Sequence, residues 1–549
     1  MNIDSERWET ISVNFTCEKG LQYPLSIYAL RSNSNAPDRP LVVMCAGTAN
    51  DVSVYNFLGD YSLPYYLGFS TATDQDVDNG CDVFLINLRG RDRRSYKSSN
   101  LRNVRVVDPS SARVDEGHDD DIDAFDIDVR LDRLGNAGQA AEDEEDDEVS
   151  YYSANSDGEN HTEWEGDLEA GEGGEEEGEG HEEGASWRCA GDEQTSDNAR
   201  HVPKMKKRWG VYNYVFEDAL FCIEHILEIT GRRRCHFVGH SMGGMVGLSL
   251  AAHPLTFDLF HSVTALSSAL FLENTYWSFL VPLLPILQPF GGLNLNKHLA
   301  NTSNLLQSAS SILPSMGFEQ IIGSSRNMGF DAIHQVMQRC FVFEPYEVIE
   351  TLANTISNPC GLTFETPLGR LHDLANSRRK RSRLLSRGRQ PASSSSSALP
   401  EEEMLRNFAL SDCSYMASER RAGEGDDKVV FEVSRFLGRY FRRVLFINGA
   451  DDVIIKHVDV QRTYDCMCAN IEEMNEGGLR IDGAPLLSTF GKGAYPPADI
   501  GSFFSSVFSN SADSDATEYC HFDTILGKAG PEEVFPLVKN FIIGNNRPE

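Results

Sequence analysis

Apolar and polar residues alternate over residues 8–15 (W-E-T-I-S-V-N-F) and 21–31 (L-Q-Y-P-L-S-I-Y-A-L-R). A period of two is the signature of half-buried strands, and Glu18-Lys19-Gly20 between them supplies a turn. An antiparallel pair is predicted. The pattern then changes. Residues 40–45 (P-L-V-V-M-C), 82–88 (D-V-F-L-I-N-L), 235–238 (C-H-F-V), 260–270 and 443–448 (R-V-L-F-I-N) are nearly continuous apolar runs. Runs of that length suit parallel strands covered on both faces. Helical spacing lies between them. From Tyr212 to Thr230, residues Val215, Ala219, Cys222, Ile223, Ile226 and Leu227 share one face, and Gly231 follows as a stop. An Ala-, Leu- and Met-rich run to Ala252 predicts another helix, as do residues 456–473 and Glu532 to Ile543. Ala516 to Cys520 reads as a short last strand after a Gly/Ser/Pro-rich loop. The alternation predicts an α/β class, a mostly parallel sheet flanked by helices.

Two stretches break the rhythm. Residues 107–203 lose apolar periodicity and are dominated by Glu, Asp and Gly. Of the formal net charge of -34, -29 falls between Asp115 and Asp197, which hold 32 acidic and 3 basic residues. Such a segment cannot bury enough apolar surface to offset its ordering entropy, so a disordered acidic insertion is expected. With -5 left for the rest, the acidity describes the insertion and not the folded part. Residues 271–435 form the second break. Helix-like patches at 298–312, 328–341 and 343–354 predict a helical cap, inserted where it would cover the carboxyl edge of the sheet. Inside it, residues 377–403 are low-complexity: seven basic residues between Arg378 and Arg389, then five serines, then three glutamates. A second disordered loop is expected there. The organisation read from the chain is thus an α/β domain in three pieces, 1–106, 204–270 and 436–549, interrupted by 107–203 and 271–435.

No stretch reaches the roughly 18 apolar residues of a membrane span, and the N-terminal residues carry no signal-peptide pattern. The twelve cysteines have no framework spacing, and Cys45, Cys222 and Cys235 sit in apolar runs. Reduced core cysteines of an intracellular, cytoplasmic protein are the expectation. The basic run is short and lacks interleaved aromatics, so nucleic acid is not an expected partner.

The chemistry centres on Gly239-His240-Ser241-Met242-Gly243, a G-x-S-x-G between a predicted strand and a predicted helix. That context defines a nucleophile elbow, in which a strained turn presents the serine hydroxyl. A serine needs a base, and the base needs a carboxylate to orient it. Asp452, three residues after Gly449 at the end of a predicted strand, is the candidate acid, ahead of its neighbour Asp451. His521, in the loop before the last helix, is the candidate base. His240 beside the serine, His236 within a predicted strand and His457 at the start of a predicted helix are its competitors. Acyl transfer further requires donors for the oxyanion. The backbone N–H of Met242 is one candidate. The other lies in the loop after residues 40–45, at Thr48, with Ala49 as the alternative.

These pieces resemble the α/β-hydrolase fold, and within it the acid-lipase-like and esterase group. The resemblance rests on A-G-T-A-N-D (46–51), N-L-R-G-R (87–91), W-G-V-Y-N-Y-V-F-E-D-A-L (209–220), V-G-H-S-M-G-G (238–244), F-I-N-G-A-D-D-V-I (446–454) and C-H-F-D-T-I-L-G (520–527). Where the group usually reads H-G in the oxyanion loop, this chain has Ala46-Gly47. The resemblance implies a carboxylic-ester hydrolase acting on a small-molecule or lipid-like ester, with no metal or organic cofactor. An acyltransferase or thioesterase would use the same three residues. A scaffold binding partners through the charged insertions is the non-enzymatic alternative. In the cap, Tyr276, Trp277, Phe279 and Leu280 open a dense apolar patch. It reads either as simple burial or as an acyl-chain pocket and a peripheral contact with a membrane or lipid droplet.

Overall fold

The computed structural model describes residues 7–16, 22–31, 39–69, 80–91, 209–275, 278, 281–282, 284–288, 292–294, 323–324, 327–367, 428–477, 481–491 and 519–546. The chain divides into two units, residues 1–119 with 205–549 and residues 120–204. The second unit, the rest of the acidic stretch 107–203 and the low-complexity loop 377–403 lie outside the described residues.

The strands are β1 (Trp8–Thr16), β2 (Gln22–Leu30), β3 (Leu41–Cys45), β4 (Asp82–Ile86), β5 (Cys235–His240), β6 (Phe260–Leu266), β7 (Gly292–Asn294), β8 (Phe343–Pro345), β9 (Thr363–Pro367), β10 (Lys428–Glu432), β11 (Val444–Gly449) and β12 (Leu486–Phe490). Eight of them form one sheet in the order β1-β2-β4-β3-β5-β6-β11-β12. The predicted hairpin β1–β2 is antiparallel, in register from Trp8 opposite Leu30 to Thr16 opposite Gln22. β2 runs antiparallel to β4. From β4 onward every pairing is parallel.

The continuous apolar runs follow from this architecture. Successive residues of a strand face opposite sides of the sheet. Val43, Cys45, Phe237, Val263 and Phe446 enter a core on one face, while Val42, Met44, Val238, Leu445 and Ile447 enter a second core on the other. Both sides must therefore be apolar, and each such side chain contributes about 1.5–3 kcal/mol by leaving water.

The main helices are α1 (Leu63–Gly68), α2 (Leu220–Thr230), α3 (Met242–Ala252), α4 (Phe330–Arg339), α5 (Tyr346–Ser357), α6 (His457–Glu476), α7 (Asp523–Leu526) and α8 (Gly530–Asn545). α2 stops at Gly231, whose φ of 66° suits glycine. It is preceded by a π-helical segment, Tyr214–Ala219, which the spacing of apolar residues did not predict. All eleven residues of α3 are buried, so this helix has no solvent face.

Two expectations are corrected. Tyr519 and Cys520, the end of the predicted last strand, belong to no strand, and 516–518 lie outside the described residues. The strand beyond β11 is β12, within the stretch read as a loop. Its L-L-S-T-F pattern is partly exposed because it is an edge, so it lacks the continuous burial that marked the others. In 271–435 the described residues hold strands as well as helices. β9 pairs with β10 and β7 with β8, both antiparallel. Val348, Leu362, Phe364 and Phe431 of this stretch belong to one of the two sheet cores.

Candidate active site

Ser241 follows β5 and caps α3, with φ 53° and ψ −124°. A non-glycine residue at positive φ costs on the order of 1–3 kcal/mol and persists only where its surroundings fix it. They do so here. The Ser241 N–H donates to Leu266 O of β6 at 2.8 Å, and Ser241 O accepts from Gly244 N–H at 2.9 Å. The turn is tight enough to require glycine on either side. A Cβ on Gly239 would lie 2.2 Å from Gly243 O, and one on Gly243 would lie 2.1 Å from Cys45 O. Ser241 is 7% exposed, while Met242, the first residue of α3, is fully buried. A first-turn amide has no partner within its own helix, so the Met242 N–H makes no intrahelical bond.

The loop after β3 passes directly over this turn. A Cβ on Gly47 would lie 2.9 Å from Ser241 Cβ and 3.2 Å from His240 Nδ1. Its next residue, Thr48, is half-buried, and its carbonyl accepts from Asn50 Nδ2 at 2.7 Å. Ala49 has φ 55° and its N–H donates to Glu344 Oε2. Cys45, at the end of β3, is no rival nucleophile: burial pushes its thiol up to about 12, against the smaller pull of Arg91.

Asp452 and His521 meet although 69 residues separate them. Asp452 Oδ2 accepts from His521 Nδ1 at 2.9 Å, and both side chains are buried. The other oxygen, Oδ1, accepts from the Ile454 and Ile455 N–H groups at 2.9 and 2.8 Å. The carboxylate is thus held by three donors and aimed at the ring. A carboxylate only accepts, so Nδ1 carries the proton and Nε2 keeps the lone pair a base requires. Asp451 instead accepts from the Tyr519 N–H at 3.2 Å and makes no bond to His521.

His240, beside the serine, hydrogen-bonds the His521 carbonyl through Nε2 at 3.0 Å, and the two rings stand 4.7 Å apart. Burial, then the neighbouring His521 ring, pushes its imidazole well below the usual histidine range. A neutral His240 therefore links the serine turn to the histidine loop. Asp523 holds that loop from the other side, accepting the Cys520 N–H at 2.7 Å and the Ser324 N–H at 2.8 Å through Oδ2.

Of the residues singled out in the sequence, Ser241, Met242, Thr48, Asp452 and His521 gather where β3, β5 and β11 end. Tyr276, Trp277, Phe279 and Leu280 lie outside the described residues. His236, in the middle of β5, bonds Ser262 Oγ at 2.8 Å, and His457 at the start of α6 bonds Thr489 Oγ1 at 3.2 Å. Sequence reasoning missed the buried pair Arg91–Glu344, 2.9 Å apart. A charge inside F-V-F-E-P (341–345) was its one available signal. Among the described residues, no helix is long and apolar enough to cross a membrane.

Compared with known proteins, no curated sequence matches the chain. Among solved structures it is similar to esterase E22, at 10% identity over 97% of this chain and 99% of that one, with a TM-score of 0.30. It is similar to a hydrolase from Pseudomonas aeruginosa PA01, at 10% identity over 97% of each chain, with a TM-score of 0.33. A third is a thermophilic esterase from Thermogutta terrifontis, at 8% identity over 98% of this chain and 100% of that one, with a TM-score of 0.35. A family model described as "alpha/beta hydrolase fold" matches residues 185–478, which includes the elbow, the strands β5, β6 and β11, and Asp452. That match spans more than half of the chain, and with the parallel sheet and the elbow after β5 it settles the family: this chain belongs to the alpha/beta hydrolase fold family.

Proposed function

We propose that this hydrolase cleaves carboxylic esters through an acyl-enzyme on Ser241. The observation that carries the reading is the pairing of a strained serine turn with a buried Asp452–His521 bond of 2.9 Å. His521 Nε2 takes the hydroxyl proton as Ser241 Oγ attacks the ester carbonyl. The tetrahedral oxyanion is held by the backbone N–H groups of Met242 and Thr48. His521 then gives its proton to the departing alkoxide, and the alcohol leaves. Water, deprotonated by the same imidazole, attacks the acyl-enzyme and frees the acid and Ser241. Asp452 keeps Nδ1 protonated and stabilises the imidazolium throughout. Thr48 is preferred to Ala49 as donor because the Ala49 N–H already bonds Glu344. No cofactor enters these steps. The apolar run that begins at Tyr276 supports a lipid-like acyl group.

The test is hydrolysis of p-nitrophenyl esters from short to long acyl chains, wild type beside Ser241→Ala, in buffer and with micelles. Wild-type turnover with a loss of at least about 10³-fold in kcat for Ser241→Ala is the expected result. An optimum at long chains, raised by micelles, fits a lipid-like substrate. An active Ser241→Ala variant overturns the mechanism.

A further inference from the structure

The loop after β3 does not hold its own shape. Ala49 sits at φ 55°, a conformation an alanine adopts only under constraint. Both of its backbone groups are taken by one distant segment. Its N–H donates to Glu344 Oε2, and its carbonyl accepts from the Val342 N–H at 2.7 Å. Asn50 forms an antiparallel bridge with Phe341, and the Asp51 N–H donates to Cys340 O at 3.3 Å. Residues 340–344, the link after α4 and the start of β8, thus lie along residues 49–51 like a short added strand.

Glu344 is itself fixed, and it is 1% exposed. Arg91 Nη2 donates to its Oε2 at 2.9 Å, and the Tyr214 hydroxyl donates to its Oε1 at 3.0 Å. The Trp209 indole N–H donates to the Tyr214 oxygen at 3.1 Å. Arg91 also reaches the loop directly, donating through Nη1 to the carbonyls of Gly47 and, at 3.1 Å, of Asn50. Its guanidinium stacks 4.8 Å from the Tyr214 ring. Tyr214 opens the π-helical segment, a departure from α geometry of the kind found at functional sites. Gly47 O, Ala49 N–H, Ala49 O and Asn50 O are therefore all committed to one buried ion pair and its flanking segment. Thr48, between them, carries the proposed oxyanion donor.

We infer that Arg91 and Glu344 are positioning residues for the oxyanion loop, so that the second inserted stretch supplies part of the machinery and not only a cover. The inference rests on the ester-hydrolase reading above. The pair does not touch the substrate. It holds Ala49 in its constrained conformation, and Arg91 binds Gly47 O, the carbonyl of the same planar peptide unit as the Thr48 N–H, which fixes the direction of that N–H. The donor is then in place before charge develops on the carbonyl oxygen, which is where such a donor lowers the barrier. A ground-state ester, with little charge on that oxygen, gains less from it.

The test uses the full chain with Glu344→Gln and Tyr214→Phe. Glu344→Gln removes the charge opposite Arg91, and Tyr214→Phe removes the hydroxyl's bonds to Glu344 and Trp209 and leaves the charges in place. Three quantities are measured below the unfolding transition: kcat and KM on a p-nitrophenyl ester, inhibition by a trifluoromethyl ketone that adds to serine as an oxyanion, and hydrogen exchange of residues 46–51. For Glu344→Gln the expected result is a fall in kcat of about 10–100-fold with KM within about 3-fold, and a matching loss of trifluoromethyl ketone affinity. Tyr214→Phe shifts the same quantities in the same direction by less. Exchange at Ala49 rises in both. A variant that loses thermal stability but keeps kcat and inhibitor affinity overturns the inference, because the pair is then structural only. If wild type turns over no ester and is not labelled at Ser241 by a fluorophosphonate, the hydrolase reading falls. Exchange then decides the clamp by itself: a Glu344→Gln variant with Ala49 as protected as in wild type overturns it, and lost protection confined to residues 46–51 supports it.

Discussion

Replacing Gly243 by alanine adds one methyl group at the most crowded backbone approach of the serine turn. An ideal Cβ there would lie 2.1 Å from Cys45 O, 2.7 Å from Cys45 C and 2.8 Å from Ala46 O. Ordinary contact begins at 3.4 Å, so the first of these falls short by about 1.3 Å. Every obstructing atom is main chain, and no rotamer change relieves the clash. Overpacking a core typically costs about 1–3 kcal/mol. Here either α3 must lift from β3 or the loop after β3 must move, so the expected loss is about 3 kcal/mol or more. Either movement is about 1 Å and displaces a proposed oxyanion amide, Met242 in the first case and Thr48 in the second. A misplacement of that size costs about 10²-fold in rate. Guanidinium denaturation measures the first effect, and p-nitrophenyl ester hydrolysis well below the transition measures the second. Gly544→Ala is the control. Its Cβ would meet nothing within 4 Å, and it lies in α8, so the change is expected to be neutral or stabilising by up to about 1 kcal/mol. A Gly243→Ala protein within about 0.5 kcal/mol of wild type, with at least half its kcat, refutes the reasoning.

Two further predictions concern buried charge. Arg89 is bound by Asp218 through its backbone N–H, Nε and Nη2, and by Glu217 through Nη2 at 2.6 Å. Asp218→Ala strands a guanidinium that is 4% exposed, and with Glu217 left as partner the expected cost is about 3 kcal/mol in denaturant unfolding. A loss under about 1 kcal/mol counts against it. His236 in β5 is pushed down to about 3, first by burial and then by the His261 ring 5.2 Å away. Its folded pKa lies below the usual 6.5, so unfolding takes up a proton in the window from about pH 6.5 to 3. This contribution is complete above that window, and stability falls as pH drops through it, by about 1.4 kcal/mol per unit. Between pH 6.5 and 5 the wild type should lose about 2 kcal/mol more than His236→Gln, and equal slopes would remove histidine from the explanation.

The parts of the fold that were legible are those where local pattern and tertiary environment agree. β3, β5 and β11 are buried without a break over five or six residues, and most of those residues are apolar. β12 escaped because an edge strand has one unpaired side and this one is half exposed, so its five residues between loops carry no periodicity. At the site, Ser241 was visible because its turn forces a local spacing of glycines. Asp452 and His521 were visible by order along the chain and by the strand or helix each adjoins. The bonds that aim Asp452 were not, because its Oδ1 is fixed by backbone amides that any sequence would offer. Arg91 and Glu344 stand 253 residues apart, and neither has a local reason to be charged. An ion pair of this kind becomes evident only when the fold brings the ends of β3 and β4 together with β8.

Backbone strain ties these observations to one place. Among the described residues, three other than glycine have positive φ: Ala49 at 55°, Ser241 at 53° and Ser267 at 45°. They follow β3, β5 and β6, which lie side by side in the sheet. None of the three is a residue type that favours this conformation, and together they cost on the order of several kcal/mol. Each is fixed by bonds from outside its own segment. Glu344 and Val342 hold Ala49, Leu266 O holds the Ser241 N–H, and Ile447 O holds the Ser267 N–H at 2.7 Å while Thr524 meets its hydroxyl at 3.2 Å. Strain gathered at the carboxyl ends of three adjacent strands, and braced from α7, β8 and β11, is what a site needs if its donors are to be aimed before the substrate arrives. The braces should then be separable from the strain. Thr524→Ala removes a contact to Ser267 and a long one, 3.5 Å, to the His521 carbonyl, but leaves the Ser267 backbone bond and the Asp452–His521 bond, so it should lower stability by about 1 kcal/mol in denaturant unfolding with little change in kcat. Glu344→Gln leaves the buried Arg91 without its charge partner and so also lowers stability, but it acts on the loop that carries the donor and should lower kcat measured well below the transition, which Thr524→Ala should not. Equal effects of the two variants on kcat would mean that the strain belongs to the fold as a whole and not to the chemistry.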